Sequence, residues 1–140
     1  MKILIWIIII GGLYYRYFFY LDLSNGCHIS ILPSLEMSNL NIKEALDVLK
    51  RVSFADYKDV CQYVAKVNPN FSCGGMGGGC AFRNIPKSID ISTSMDDLAW
   101  SAAIIVHETC HAKQFQRGHG VSEEECYKED DRVIKKLIEY

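Results

Sequence analysis

The stretch VHETCH, residues 106–111, decides how this chain is read. It sets His107 and His111 four residues apart, with Glu108 directly after the first. On an α-helix such residues are offset by only about 40° and roughly 6 Å of rise, so both imidazoles can converge on one ion at ~2.0–2.1 Å. Glu108 points about 100° round from His107. That is too far to join the coordination comfortably, but well placed to take a proton from a water on the metal. The residues just before, SAAIIV at 101–106, are small or aliphatic and would bury the helix in a core. Two histidines and a glutamate are costly there unless something satisfies them.

The surrounding pattern supplies a framework for that helix. Ser94 stands as its cap with Asp97 three residues on, Asp96 and Asp97 suit its amino-terminal dipole, and the helix should run to about Gln116, with Gly118 and Gly120 closing it. A further helix is expected over 122–140, with Val133, Leu137 and Tyr140 inward and Lys128, Lys135 and Lys136 outward. Ile85, Ile89 and Ile91, evenly spaced around Pro86, read as one or two short strands with a turn. Upstream, Asn41 and Glu44 resemble a capping box ahead of Ile42, Ala45, Leu46, Leu49 and Val52 at helical spacing. From Ser53 a second helix carries Tyr57, Val60, Cys61, Val64 and Val67 on one face until Asn68-Pro69-Asn70 ends it.

Next comes FSCGGMGGGCAF, residues 71–82, with five glycines between Cys73 and Cys80. It lacks the lysine and hydroxyl residue of a phosphate loop, which argues against nucleotide binding. It reads as a flexible loop restrained by two cysteines, bonded either to each other or to Cys61 and Cys27.

A chain of 140 residues with 49% hydrophobic content is long enough for one compact domain and an appendage. The appendage is MKILIWIIIIGGLYYRYFFYL, residues 1–21, a basic start and an apolar run broken only by Arg16. Its length is close to the roughly 20 residues of a spanning helix, and its tyrosines and phenylalanines suit an interfacial belt. It is expected to be a transmembrane signal anchor or a removed signal peptide, followed by a turn-rich linker over 22–40 and a domain over 41–140. Lys2 would stay on the cytoplasmic side, which places the domain on the extracytoplasmic side, or secretes it. Six cysteines, an even number in so small a domain, agree with an oxidising space, although sequence alone leaves fifteen pairings. The formal net charge is -2 and the 15 basic residues form no stripe, so no nucleic-acid partner is expected.

A catalytic zinc needs a third protein ligand and an open fourth position. Glu123, Glu124 and Glu125 follow His111 by about a dozen residues, beyond the glycine turn, and are the candidates. At this point HETCHAKQ (107–114) and EEECY (123–127) together resemble the gluzincin group of zinc metallopeptidases, the thermolysin-like class with His, His and Glu ligands, and more closely its minimal single-domain members. The similarity covers residues 106–133.

The resemblance implies a small zincin-like α+β domain, helices on a short sheet, that binds zinc through His107, His111 and Glu123, with Glu124 in reserve. It implies an endopeptidase that hydrolyses peptide or protein substrates, with Glu108 as general base. Relatives commonly carry Glu-x-x-Ala on the ligand helix, and here Cys126 takes the small-residue place. Tyr127 stands where many members have an aspartate supporting the first histidine, a departure from the pattern. Cys126 would then face Cys110, which makes a Cys110–Cys126 disulfide between the ligand helices an expectation. His119 is the expected oxyanion donor, with Tyr127 and Arg132 also close in sequence, and Gln114 is expected to tie backbone near the helix end. Residues 89–92 resemble the edge strand on which zincins hold an extended peptide. Two rival readings remain: a catalytically silent zinc-binding interaction module tethered to the membrane, and a disulfide-stabilised domain without metal.

Overall fold

The computed structural model describes residues 2–32, 38–70, 72–75, 78–92 and 97–140. Helices α1 (Lys2–Phe18), α2 (Ser38–Val52), α3 (Phe54–Tyr63), α4 (Leu98–Gln116) and α5 (Glu123–Ile138) accompany strands β1 (Phe19–Asp22), β2 (Cys27–Ile31), β3 (Lys66–Pro69), β4 (Gly79–Ala81) and β5 (Ser88–Ile91). The architecture is therefore α+β, as expected. The strands form one mixed sheet in the order β1-β2-β3-β5-β4. Its centre, β2-β3-β5, is parallel, and both edge strands are antiparallel to their neighbours.

The core lies between the sheet and helices α2, α3 and α4. Ile29, Ile31, Val67, Ile89 and Ile91 of the strands are buried against Ile42, Leu46 and Leu49 of α2, Tyr57 and Val60 of α3, and Ala102 and Ile105 of α4. Alternation in β5 turns Ile89 and Ile91 to this core, with Ser88 and Asp90 on the other face. Helix α4 packs against α2, α3, β4, β5 and α5, which accounts for a run of buried residues on all its sides.

Several elements begin or end where the apolar pattern did not place them. Helix α3 stops at Tyr63, and Val67 belongs to β3 rather than to that helix. Spacings of three and four suit a helical face, yet backbone pairing of Lys66 and Val67 with both β2 and β5 prevails over the local periodicity. Helix α2 starts at Ser38, ahead of Asn41. Asp97 caps α4, accepting from the backbone N–H groups of Ala99 and Trp100, while the expected cap Ser94 and neighbouring Asp96 lie outside the described residues. Tyr140 is exposed, beyond the end of α5, not inward.

The amino-terminal segment departs most from expectation. Helix α1 ends at Phe18 because Phe19–Asp22 pair with Cys27–Ile31 as an edge hairpin, so the stretch 22–40 read as linker contains part of the sheet. Seventeen residues rise about 25 Å, less than a hydrocarbon core of about 30 Å. Among the described residues no helix is long and apolar enough to cross a membrane. Even so, Ile3, Leu4, Trp6, Ile7, Ile8, Ile10 and Leu13 of α1 are all exposed. The helix is held to the sheet near its end, where Tyr15 and Phe19 stack on His28 and the Tyr15 hydroxyl meets the His28 Nε2 at 3.0 Å.

All six cysteines pair: Cys27–Cys61 joins β2 to α3, Cys73–Cys80 closes the glycine loop on itself, and Cys110–Cys126 joins α4 to α5. Three disulfides are compatible with an extracytoplasmic or secreted protein.

Candidate metal centre

The two histidines of α4 and the first glutamate of α5 meet at one point. Helix α5 starts with Ser122 as its cap, accepting from the Glu125 N–H, and runs antiparallel to α4. Pairing proceeds in opposite directions along the two helices: His111 meets Glu123, Cys110 bonds Cys126 and His107 meets Asp130. The His107 and His111 Nε2 atoms are 3.2 Å apart, and the Glu123 Oε2 lies 3.4 Å from the first and 3.2 Å from the second. Of the three candidate glutamates only Glu123 reaches the histidines. Glu124 pairs with Lys128 on the surface, and Glu125 accepts from the Gln114 Nε2 at 2.8 Å.

The donor chemistry shows that this group suits a cation. His107 Nδ1 lies 2.8 Å from the Asp130 Oδ2 and His111 Nδ1 lies 3.2 Å from the Gln114 Oε1. Both partners are acceptors, so each Nδ1 carries the proton and each Nε2 presents a lone pair. Two lone pairs and a carboxylate oxygen then face one another, an arrangement that repels itself unless a positive charge sits between them. A tetrahedron with bonds of ~2.0–2.1 Å has edges of about 3.3 Å. The three observed separations match that figure, so His107, His111 and Glu123 can hold a metal ion.

The two orienting groups differ in how visible they are in sequence. Gln114 is buried and does more than tie backbone: its Oε1 faces His111 and also accepts from the Ser122 N–H, while its Nε2 donates to Glu125 and to the Ser122 carbonyl. Asp130 takes the supporting role that the Tyr127 position leaves open. It sits seven residues after Glu123, about two turns along the same face, and that spacing was the available signal. Tyr127 instead lays its ring 4.8 Å from the His107 ring and lines the cleft. Cys126, bonded to Cys110 as expected, is buried with its Sγ 3.6 Å from the His111 Nδ1, so the disulfide lies directly behind that imidazole.

Glu108 is buried beside this group. Burial pushes its carboxyl up to about 8, and the negative charges of Glu123, Asp130 and Asp90 push the same way. Burial likewise raises Asp130, against the pull of the His107 hydrogen bond and charge. The opposite wall comes within contact of Glu108 only because residue 79 is glycine. A Cβ there would stand 2.6 Å from the Glu108 Cγ and 2.9 Å from the Ile104 Cγ2. Behind it Gly74 and Gly78 pack backbone against backbone, where a Cβ on Gly78 would fall 2.2 Å from the Gly74 oxygen. The glycines therefore let a disulfide-closed rim fold tightly over α4.

An open cleft of ≈ 670 Å³ contains His107, Glu108, His111, Glu123 and Tyr127, with β4 as its rim. The edge strand of the sheet at this cleft is thus β4; residues 88–91 form β5, an interior strand between β3 and β4, and cannot offer an edge. His119 is also not at this site. The chain turns at Gly118, whose φ is 69°, and the His119 N–H closes the helix on the Gln114 carbonyl. The His119 side chain lines a separate small pocket with Lys113, Arg117 and Cys110 instead. Arg132 is engaged elsewhere, paired with Asp56 and Glu129.

Comparison of the chain with protein families, characterised sequences and solved structures gives no match.

The Asp130 contact predicts that Asp130→Asn weakens divalent-metal affinity about 10- to 100-fold, measured by competition with a chromophoric chelator; unchanged affinity would show that the contact does not orient His107. A second prediction concerns metal-free protein. Folded Glu108 keeps its proton to about pH 8, whereas the unfolded chain releases it near the ordinary 4.5. The folded state binds more protons between those values, so stability falls as pH rises through that window and levels off above it, by an amount on the order of a few kcal/mol. Urea unfolding in chelator from pH 5 to 8 should show a decline that Glu108→Gln largely removes; parallel curves would contradict it.

Proposed function

We propose that the chain is a zinc-dependent endopeptidase of the gluzincin kind, with His107, His111 and Glu123 as zinc ligands and Glu108 as general base. The observation that carries this reading is the convergence of three donors at tetrahedral spacing in a cleft that also holds a buried carboxylate and a strand edge with no partner strand among the described residues. A mixed imidazole and carboxylate set of three, with one side open, suits zinc better than the harder all-oxygen cations. A divalent ion held by His107, His111 and Glu123 would supply Lewis acidity to a carbonyl and to a water beside it, and its charge would favour the ionised form of Glu108.

The remaining steps belong to the chain's own residues. An extended peptide pairs its backbone with the outer edge of β4, Gly79–Ala81, which sets its carbonyl over the floor of the cleft. Glu108 takes a proton from the attacking water and delivers it to the departing amine, two transfers by one carboxylate. Asp130 and Gln114 hold the imidazoles in the required tautomer throughout. Glu108→Gln should retain stoichiometric zinc and lose at least ~100-fold in kcat on a peptide pool. Wild-type protein that takes up zinc and cuts nothing would instead favour the silent binding module, and absence of stoichiometric zinc would remove the metal reading.

We further infer that α1 attaches the domain to a lipid surface, since an exposed apolar helix of this size in water is an interaction site by its composition. Phosphatidylcholine vesicles should sediment the full chain, and Ile5→Lys with Ile8→Lys should leave it in the supernatant; equal sedimentation of both would end the inference.

A further inference from the structure

The metal-binding residues account for only part of the cleft. The rest of its lining is mostly apolar, with Trp100, Ile104 and Ile134 towards one end and Phe115 and Val121 towards the other. Among the described lining residues one charged side chain has no role at the metal centre: Asp131, an exposed carboxylate of α5. No lysine or arginine among those residues lines the cleft. A divalent ion offsets two of the four carboxylates Glu108, Glu123, Asp130 and Asp131, so the cleft keeps an excess of negative charge even with Glu108 protonated.

The position of Asp131 along the cleft follows from the helix directions. Because Glu123 meets His111 and Asp130 meets His107, the later residues of α5 lie towards the beginning of α4. Asp131 and Ile134 therefore flank the Trp100 and Ile104 end. Beyond the other end Arg83, which does not line the cleft, stands over the Phe115 ring, its guanidinium carbon 5.3 Å from the centroid.

We propose that Asp131 makes this cleft selective for peptides carrying lysine or arginine at the position lying over its Trp100–Ile134 end. The inference rests on the peptidase reading above and names its substrate class. Lysine and arginine are the side chains whose parts match the surroundings: an aliphatic stem packs on Ile104, Ile134 and the Trp100 ring, while the cationic head reaches Asp131. An acidic residue in the same place meets Asp131 and the excess negative field, so the cleft also selects by repulsion.

The test uses matched fluorogenic peptides in which one position at a time, on each side of the scissile bond, is Lys, Gln or Glu. With the wild-type, zinc-loaded full chain, kcat/KM for Lys should exceed that for Glu by about fivefold or more at one position, and the ratio should shrink as salt rises. Asp131→Asn should bring the ratio near one, and Asp131→Lys should invert it. A ratio that is flat in the wild type, or unchanged in Asp131→Lys, overturns the proposal. Calorimetric binding of the same peptides to zinc-loaded Glu108→Gln protein, with and without Asp131→Lys, supplies a readout free of turnover. Peptides cut without regard to residue 131 sink this inference and leave the peptidase intact. Peptides bound with the charge preference but never cut by wild-type protein sink the peptidase and leave the preference. No binding and no cutting sink both.

Discussion

The contact on which the rest depends is that between α4 and α5. Helix α4 buries His107, Glu108 and His111 among residues that include Ala102, Ala103, Ile105, Val106 and Ala112, where each unpaired polar group costs on the order of 1–3 kcal/mol. α5 supplies Asp130 and Glu123, and Gln114 joins from α4 itself. If α5 shifted by a turn, His107 would lose Asp130 and both buried imidazoles would lose Glu123 together. The Cys110–Cys126 bond acts against such a shift: a covalent loop of this length restricts the unfolded chain by roughly 3 kcal/mol and fixes the two helices against each other where the ligands emerge.

Of the other two disulfides one braces the rim of the cleft and one the body of the sheet. Cys73–Cys80 closes the rim that presents β4, and Cys27–Cys61 ties the parallel centre of the sheet to α3, which carries Asp56, the partner of Arg132 on α5. A domain this small has a limited core to resist the repulsion of several carboxylates gathered in one cleft. The cross-links at the rim and between α4 and α5 let that charge be concentrated without the cleft opening.

How much could be read in the chain follows from which forces are local. The helix through Leu98 to Gln116, the paired histidines and the partnership of Glu123 were legible because helical periodicity and ligand spacing are properties of adjacent residues. The Cys110–Cys126 bond followed once the two helices were laid side by side. Strands were harder. Phe19–Asp22 lay hidden at the end of an apolar run that looks continuous, Lys66–Pro69 resembled the tail of a helix, and Gly-Cys-Ala at 79–81 has no strand character of its own. These segments are strands because of what they pair with. The order β3-β5-β4, which makes residues 79–81 the edge and buries residues 88–91, is a relation between distant segments that no local pattern states. His119 failed for a related reason: a left-handed glycine one residue earlier sent it to another face.

Asp130 shows a different limit, and it bears on how the helix should be read. The residues of α5 on the side of α4 are Glu123, at the exposed start of the helix, then Cys126, Asp130, Val133 and Leu137, a spacing of three and four that in another helix would be an unbroken apolar seam. Here the first position binds with the histidines, the second forms the disulfide, the third orients His107, and only the last two are ordinary core. A reading by hydrophobicity sees Val133 and Leu137 and stops, because the acidic members look like solvated surface. Once the paired histidines of α4 are taken as needing partners, the same spacing extends the seam to the start of α5, and Asp130 falls on it without further assumption. Polar residues at seam positions are thus evidence of function in proportion to the number of buried partners that the facing helix leaves unsatisfied.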